Sequence, residues 1–141
     1  MDNELVIKMS SVMLDCQDPN ELAKFYAALI KWDIVFFDEE YAVISPPGMK
    51  RGTYPCISFQ KNLEYKPPVW PDELEAQQQM AHIDFIVNDL EKTVEYAIRC
   101  GATIAEKQFS DYWKVMIDPA GHPFCLVEHK DIVENVHFAL L

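Results

Sequence analysis

The segment Gln79-Met80-Ala81-His82-Ile83-Asp84-Phe85-Ile86-Val87-Asn88-Asp89-Leu90 decides the fold. Residues 81–87 read as a strand, with Ile83, Phe85 and Val87 on one face and His82, Asp84 and Ile86 on the other. Asp89 has the chemistry of a helix N-cap, and the helix after it carries an apolar stripe of Leu90, Val94, Ala97 and Ile98. Gly101 stands where a helix commonly closes on glycine. A second version lies near the N-terminus, Ser11-Val12-Met13-Leu14-Asp15-Cys16-Gln17-Asp18. There Asp18-Pro19-Asn20-Glu21 combines an N-cap, a proline at the first helical position and a capping-box acid. Leu22, Phe25, Tyr26 and Leu29 follow at the spacing of a helix laid on a sheet.

These two segments open a longer repeat. Asp18 and Asp89 are 71 residues apart, and Ala42-Val43-Ile44-Ser45-Pro46-Pro47-Gly48 matches Val115-Met116-Ile117-Asp118-Pro119-Ala120-Gly121 at a spacing of 73. Two matches at nearly one spacing define a duplicated unit. Further strands are expected at 32–37, 41–45 and 54–60, and again at 103–109, 113–117 and 123–128, so the unit is strand, helix, three strands. Residues 61–79 hold Pro67, Pro68, Trp70 and Pro71, too many prolines for regular structure. The expected organisation is a single α+β domain: unit 1 over about 6–62, a connector over about 63–79, unit 2 over about 80–129, and a tail over 130–141.

A formal charge of −11 over 141 residues argues against nucleic-acid backbone binding, which needs clustered Lys and Arg. No segment has the length and apolarity of a membrane span, and the acidic start Met1-Asp2-Asn3-Glu4 is unlike a signal peptide. Cys16, Cys56, Cys100 and Cys125 are widely spaced with no CxxC pair. Buried thiols in a cytoplasmic protein are therefore expected.

The paired strand–helix–three-strand unit resembles the vicinal oxygen chelate superfamily of glyoxalase I, bleomycin-resistance proteins and extradiol dioxygenases. The resemblance rests on Leu14 to Pro19 with Phe25-Tyr26, on Met80 to Leu90, and on Trp113 to Leu126 with its Asp-Pro-Ala-Gly-His-Pro-Phe-Cys ending. It implies two βαβββ units forming a cupped, mixed eight-stranded sheet with helices on the outer face. It also implies, in many members, a homodimer. Metal-dependent members place four ligands in the cup. Carried over, the first falls on Ser11, seven residues before the helix cap, and its counterpart on His82. The last-strand ligand, usually Glu, falls on Cys125, and the equivalent in unit 1 on about Ser58.

Serine is a poor ligand for Zn, Ni, Fe or Mn beside imidazole and carboxylate. The inherited metal site therefore reads as degenerate, with no metal expected and His82 and Cys125 the ligands if one binds. The expected pocket is lined by Ser11, Met13, Ser58, Gln60, His82, Asp84, Trp113 and Cys125, with Phe59 and Trp70 as further candidates for holding a flat ligand. His82 and Asp84 are the candidates for acid–base work. Cys125 reads as an inert buried thiol rather than a nucleophile, since no cation in the sequence pattern stands near it. His122 reads as a structural residue of the tight turn. Three functions follow: a metal-free small-molecule-binding protein, a metal-dependent lyase or dioxygenase with an atypical ligand set, and a structural protein whose own side chains fill the cup.

Overall fold

The computed structural model describes residues 5–49 and 55–130. The element order is β1 (Ser11–Cys16), α1 (Pro19–Ile30), β2 (Asp33–Phe37), β3 (Tyr41–Ser45), β4 (Cys56–Lys61), β5 (Ile83–Val87), α2 (Leu90–Cys100), β6 (Thr103–Ile104), β7 (Trp113–Ile117) and β8 (Pro123–Glu128). This is an α+β fold of two βαβββ units. The chain divides between Tyr65 and Lys66, so the proline-rich stretch belongs to the second unit. The start of the 54–60 strand and the tail beyond Lys130 lie outside the described residues.

In unit 1 the sheet order is β1-β4-β3-β2, with β1 and β4 parallel and the other pairs antiparallel. The α1 cap forms as its chemistry predicts, Asp18 Oδ1 accepting from the Glu21 backbone N–H at 3.1 Å. Leu22, Phe25, Tyr26 and Leu29 are buried, and Tyr26 stacks on Phe59 with centroids 5.7 Å apart. That contact corrects one expectation: Phe59 is wholly buried under the helix and offers nothing to a ligand on the opposite face. Strand alternation leaves that opposite face to Met13, Asp15, Ser58 and Gln60.

Unit 2 repeats the order as β5-β8-β7-β6, again with the first pair parallel. The ladders refine the repeat: Met13 pairs with Ser58 where Asp84 pairs with Cys125, and Val43 pairs with Ser58 where Val115 pairs with Cys125. Phe85 packs edge-on against Phe124, 6.0 Å between centroids, and Phe124, Leu126 and Met116 are buried on that face. Asp89 caps α2 through Oδ1 to the Lys92 N–H at 3.0 Å. Gly101 closes the helix at φ 125, its N–H reaching the Ala97 and Ile98 carbonyls.

Three boundaries differ from expectation. The strand begins at Ile83, so His82 sits just ahead of it. Ile98 is 44% exposed, so the stripe on α2 narrows to Leu90, Val94 and Ala97. Residues 103–109 keep only two strand residues, and the reason is Gln108. Its side-chain amide donates to the Ala105 and Val115 carbonyls at 2.9 and 2.8 Å and accepts from the Val115 N–H at 2.8 Å. One side chain thus satisfies the edge of β7 where a longer β6 would have run.

Candidate functional site

The open face of the unit 2 sheet, opposite α2, carries the chemistry. His82 precedes β5 and Asp84 is its second residue, so period-two alternation brings both to this face. His82 Nε2 lies 3.1 Å from Asp84 Oδ1. Asp84 pairs in register with Cys125 on β8, and the donor atoms of His82, Asp84 and Cys125 all lie within 4.8 Å of one another. Cys125 is only 8% exposed. Burial, then the negative charge of Asp84, then a hydrogen bond to that carboxylate push its thiol from 9.0 up to about 11. The Asp84 carboxylate therefore lies beside the thiol as well as against the imidazole.

The connector supplies two further groups. Gln79 Nε2 lies 3.4 Å from His82 Nδ1, and the Gln79 Oε1 is buried without a hydrogen-bond partner among the described residues. Trp70 packs with Trp113, Ile117 and Val127 against buried Ala105, Val115 and Cys125. Trp70 meets Phe109 edge-on at 6.1 Å, and Phe109 stacks on Trp113 at 5.9 Å. Trp113, a residue the sequence analysis singles out, lies in this cluster. Gln79 and Phe109 were not singled out, because each reaches the face through loop geometry rather than strand periodicity.

Unit 1 presents a different face. Ser58 Oγ and Ser11 Oγ hydrogen-bond to each other at 2.9 Å, and Met13 is 45% exposed beside them. Asp15 accepts from the Gln60 amide at 2.5 Å and from Asn62 Nδ2 at 3.1 Å. The candidates thus gather as Ser11 with Ser58, Gln60 with Asp15, and His82 with Asp84, Cys125 and Trp113. His122 sits apart, its Nδ1 2.8 Å from the buried Asp118 Oδ2, in the turn-fixing role expected of it.

His82, Asp84 and Cys125 are the residues that would hold a metal ion, their donor atoms lying within 4.8 Å of one another. Binding there would displace the Cys125 thiol proton and the contact of His82 Nε2 with Asp84. The two serines satisfy one another. A tetrahedral ion with bonds of about 2.0–2.3 Å would also have to draw donor atoms at the wide end of the observed spread closer together.

Cys125 makes the site's pH behaviour predictable. Its folded thiol holds a proton more tightly than the unfolded one, so the stability this brings is complete below about pH 9 and is lost as pH rises towards 11. Denaturant titrations across that range are expected to show a loss on the order of 2 kcal/mol that is missing in Cys125→Ala. Tyr96, also shifted upward, contributes equally to both proteins.

Two repeated βαβββ units, each with a mixed four-stranded sheet and one helix, define the glyoxalase-like class of fold. The chain belongs to the glyoxalase-like domain family, whose model matches residues 11–127. Among solved structures it is similar to a glyoxalase/bleomycin resistance protein/dioxygenase family enzyme from Burkholderia phytofirmans. That match has 16% identity and a TM-score of 0.62, and covers 84% of this chain and 96% of the other. A glyoxalase/bleomycin resistance protein from Albidiferax ferrireducens is similar at 19% identity and TM-score 0.56, covering 86% and 98%. The trypanothione-dependent glyoxalase I of Leishmania major is similar at 17% identity and TM-score 0.58, covering 89% and 88%. None of the curated proteins matches the sequence. No helix among the described residues is long and apolar enough to cross a membrane.

Proposed function

We propose that this chain binds a small organic molecule on the open face of its second unit, without a metal. The observation that carries this reading is the state of the four positions where the superfamily's metal ligands stand. Ser58 donates to Ser11, His82 lies against Asp84, and Cys125 is a buried thiol beside the same carboxylate. What faces outward is a hydrogen-bonding edge, the half-exposed Asp84 carboxylate and the His82 ring, beside an apolar floor of Val115, Trp113 and Val127. The likeness to a bleomycin resistance protein suits a role in sequestering or sensing such a molecule. A homodimer in the cytoplasm is the proposed setting. The four cysteines form no disulfide, which suits a reducing compartment.

The second reading is a metal-dependent lyase or dioxygenase, and the convergence of His82, Asp84 and Cys125 favours it. A soft divalent ion would have to displace the Cys125 proton and turn Asp84 from a hydrogen-bond acceptor into a ligand. Elemental analysis of protein purified without chelator or affinity tag separates the two. The expected result is substoichiometric Zn, Ni, Fe and Mn, with a melting temperature that ignores each ion. One equivalent of any of them, lost in His82→Ala, would overturn the metal-free reading.

A further inference from the structure

The connector of unit 2 lies across the open face as a strap. Pro67 is pressed against Gly121, the Val69 N–H bonds to the Gln77 carbonyl, and Gln79 reaches His82. Between these points Trp70 covers Ala105, Val115 and Cys125. Its indole Nε1 is buried and has no hydrogen-bond partner among the described residues. A buried indole N–H ordinarily finds an acceptor, since leaving it unmade forfeits its bond to water. Here the ring has its apolar contacts and its edge-on partner Phe109, while the one polar atom gains nothing. The seat fits the shape of the bicycle and not its donor.

We propose that Trp70 occupies the ligand's own seat, and that the site takes a flat, fused-ring aromatic molecule with no donor at that point, which displaces the indole. The proposal rests on the metal-free binding reading and adds to it the ligand class and a built-in competitor. The driving force is exchange. The incoming ring recovers the contacts on Val115, Cys125 and Trp113, and the released indole N–H returns to water. Affinity for the intact protein is lowered by the fraction of time Trp70 sits in place.

The test uses 1-benzothiophene, which has the outline of indole without the N–H, and indole itself. In Trp70→Ala, 1-benzothiophene is expected to bind at least about tenfold more tightly than to the wild type, and about tenfold more tightly than indole binds to the same variant. In the wild type, the Trp70 indole N–H resonance, assigned with Trp70→Phe, should shift and lose its exchange protection as 1-benzothiophene is added. Equal affinity of Trp70→Ala for the two bicycles, or no saturable binding, would overturn the proposal. So would saturation of the wild type with the Trp70 resonance unmoved. If Trp70→Ala does not fold, the wild-type titration decides by the same criterion, and no binding there counts against the proposal. Neither bicycle chelates metal, so their binding reads the Trp70 seat and not a metal site. A stoichiometric metal would therefore sink the metal-free reading alone, whereas a metal-free protein with an unresponsive Trp70 would sink this one alone.

Discussion

Asp118→Ala is expected to destabilise the protein by about 3–5 kcal/mol, the largest single effect at a polar residue. Asp118 directly follows β7, with its side chain wholly out of solvent. Its Oδ1 accepts from the Ala120 and His122 N–H groups, both at 2.9 Å, and Oδ2 faces His122 Nδ1 at 2.8 Å. Alanine would remove the acceptor of two backbone donors and the partner of a ring nitrogen, next to the strand that carries Cys125. Asp118→Asn should cost much less, about 1–2 kcal/mol. The remaining carbonyl oxygen still accepts from the backbone, and the imidazole can take the tautomer that accepts from the new amide. Urea denaturation of the three proteins checks this. Equal losses for Ala and Asn would show that the turn depends on the ion pair rather than on backbone satisfaction.

The second large effect is expected at Gly121→Ala, about 2–4 kcal/mol. Gly121 has φ +96, which a residue with a Cβ rarely adopts. An added Cβ would also stand 2.5 Å from the Cβ of Pro67, in a ring that cannot swing aside. The consequence reaches the site, because Pro67 is where the strap is pressed down three residues before Trp70. Lifting it should expose the indole, seen as a red shift in tryptophan emission over and above the change in denaturation midpoint. Gly48 tests the reasoning: it sits at the matching place in unit 1 with φ +72, but among the described residues nothing lies within 4 Å of its added Cβ. Gly48→Ala should therefore cost only the conformational part, about 1–2 kcal/mol.

The duplicated architecture was readable from the chain because its signals are local. Alternation at Ile83, Phe85 and Val87, the caps at Asp18 and Asp89, and the closing Gly101 each depend on residues within one turn or one strand. The extended strand expected over 103–109 failed for the complementary reason. Gln108 is unremarkable in one dimension and becomes a backbone substitute only when β7 lies beside it. Ile98 likewise fits the helical stripe by spacing, yet the helix meets the sheet over a narrower arc.

The same division runs through the site. By itself the sequence determined that His82 and Asp84 share one strand face, that Cys125 stands on the last strand, and that serines occupy the matching places in unit 1. Strand periodicity and the 71-residue repeat give Ser11 as the counterpart of His82, while Ser58 as the counterpart of Cys125 is what the family resemblance implies. Only the tertiary structure decided what these groups are to one another: an imidazole and a buried thiol joined through one carboxylate, and two hydroxyls closed on each other. It alone also laid Trp70 over Cys125 with an unpaired N–H. Protonation, desolvation and hydrogen-bond satisfaction depend on which atoms meet across the sheet and the loops, and linear spacing carries no record of that.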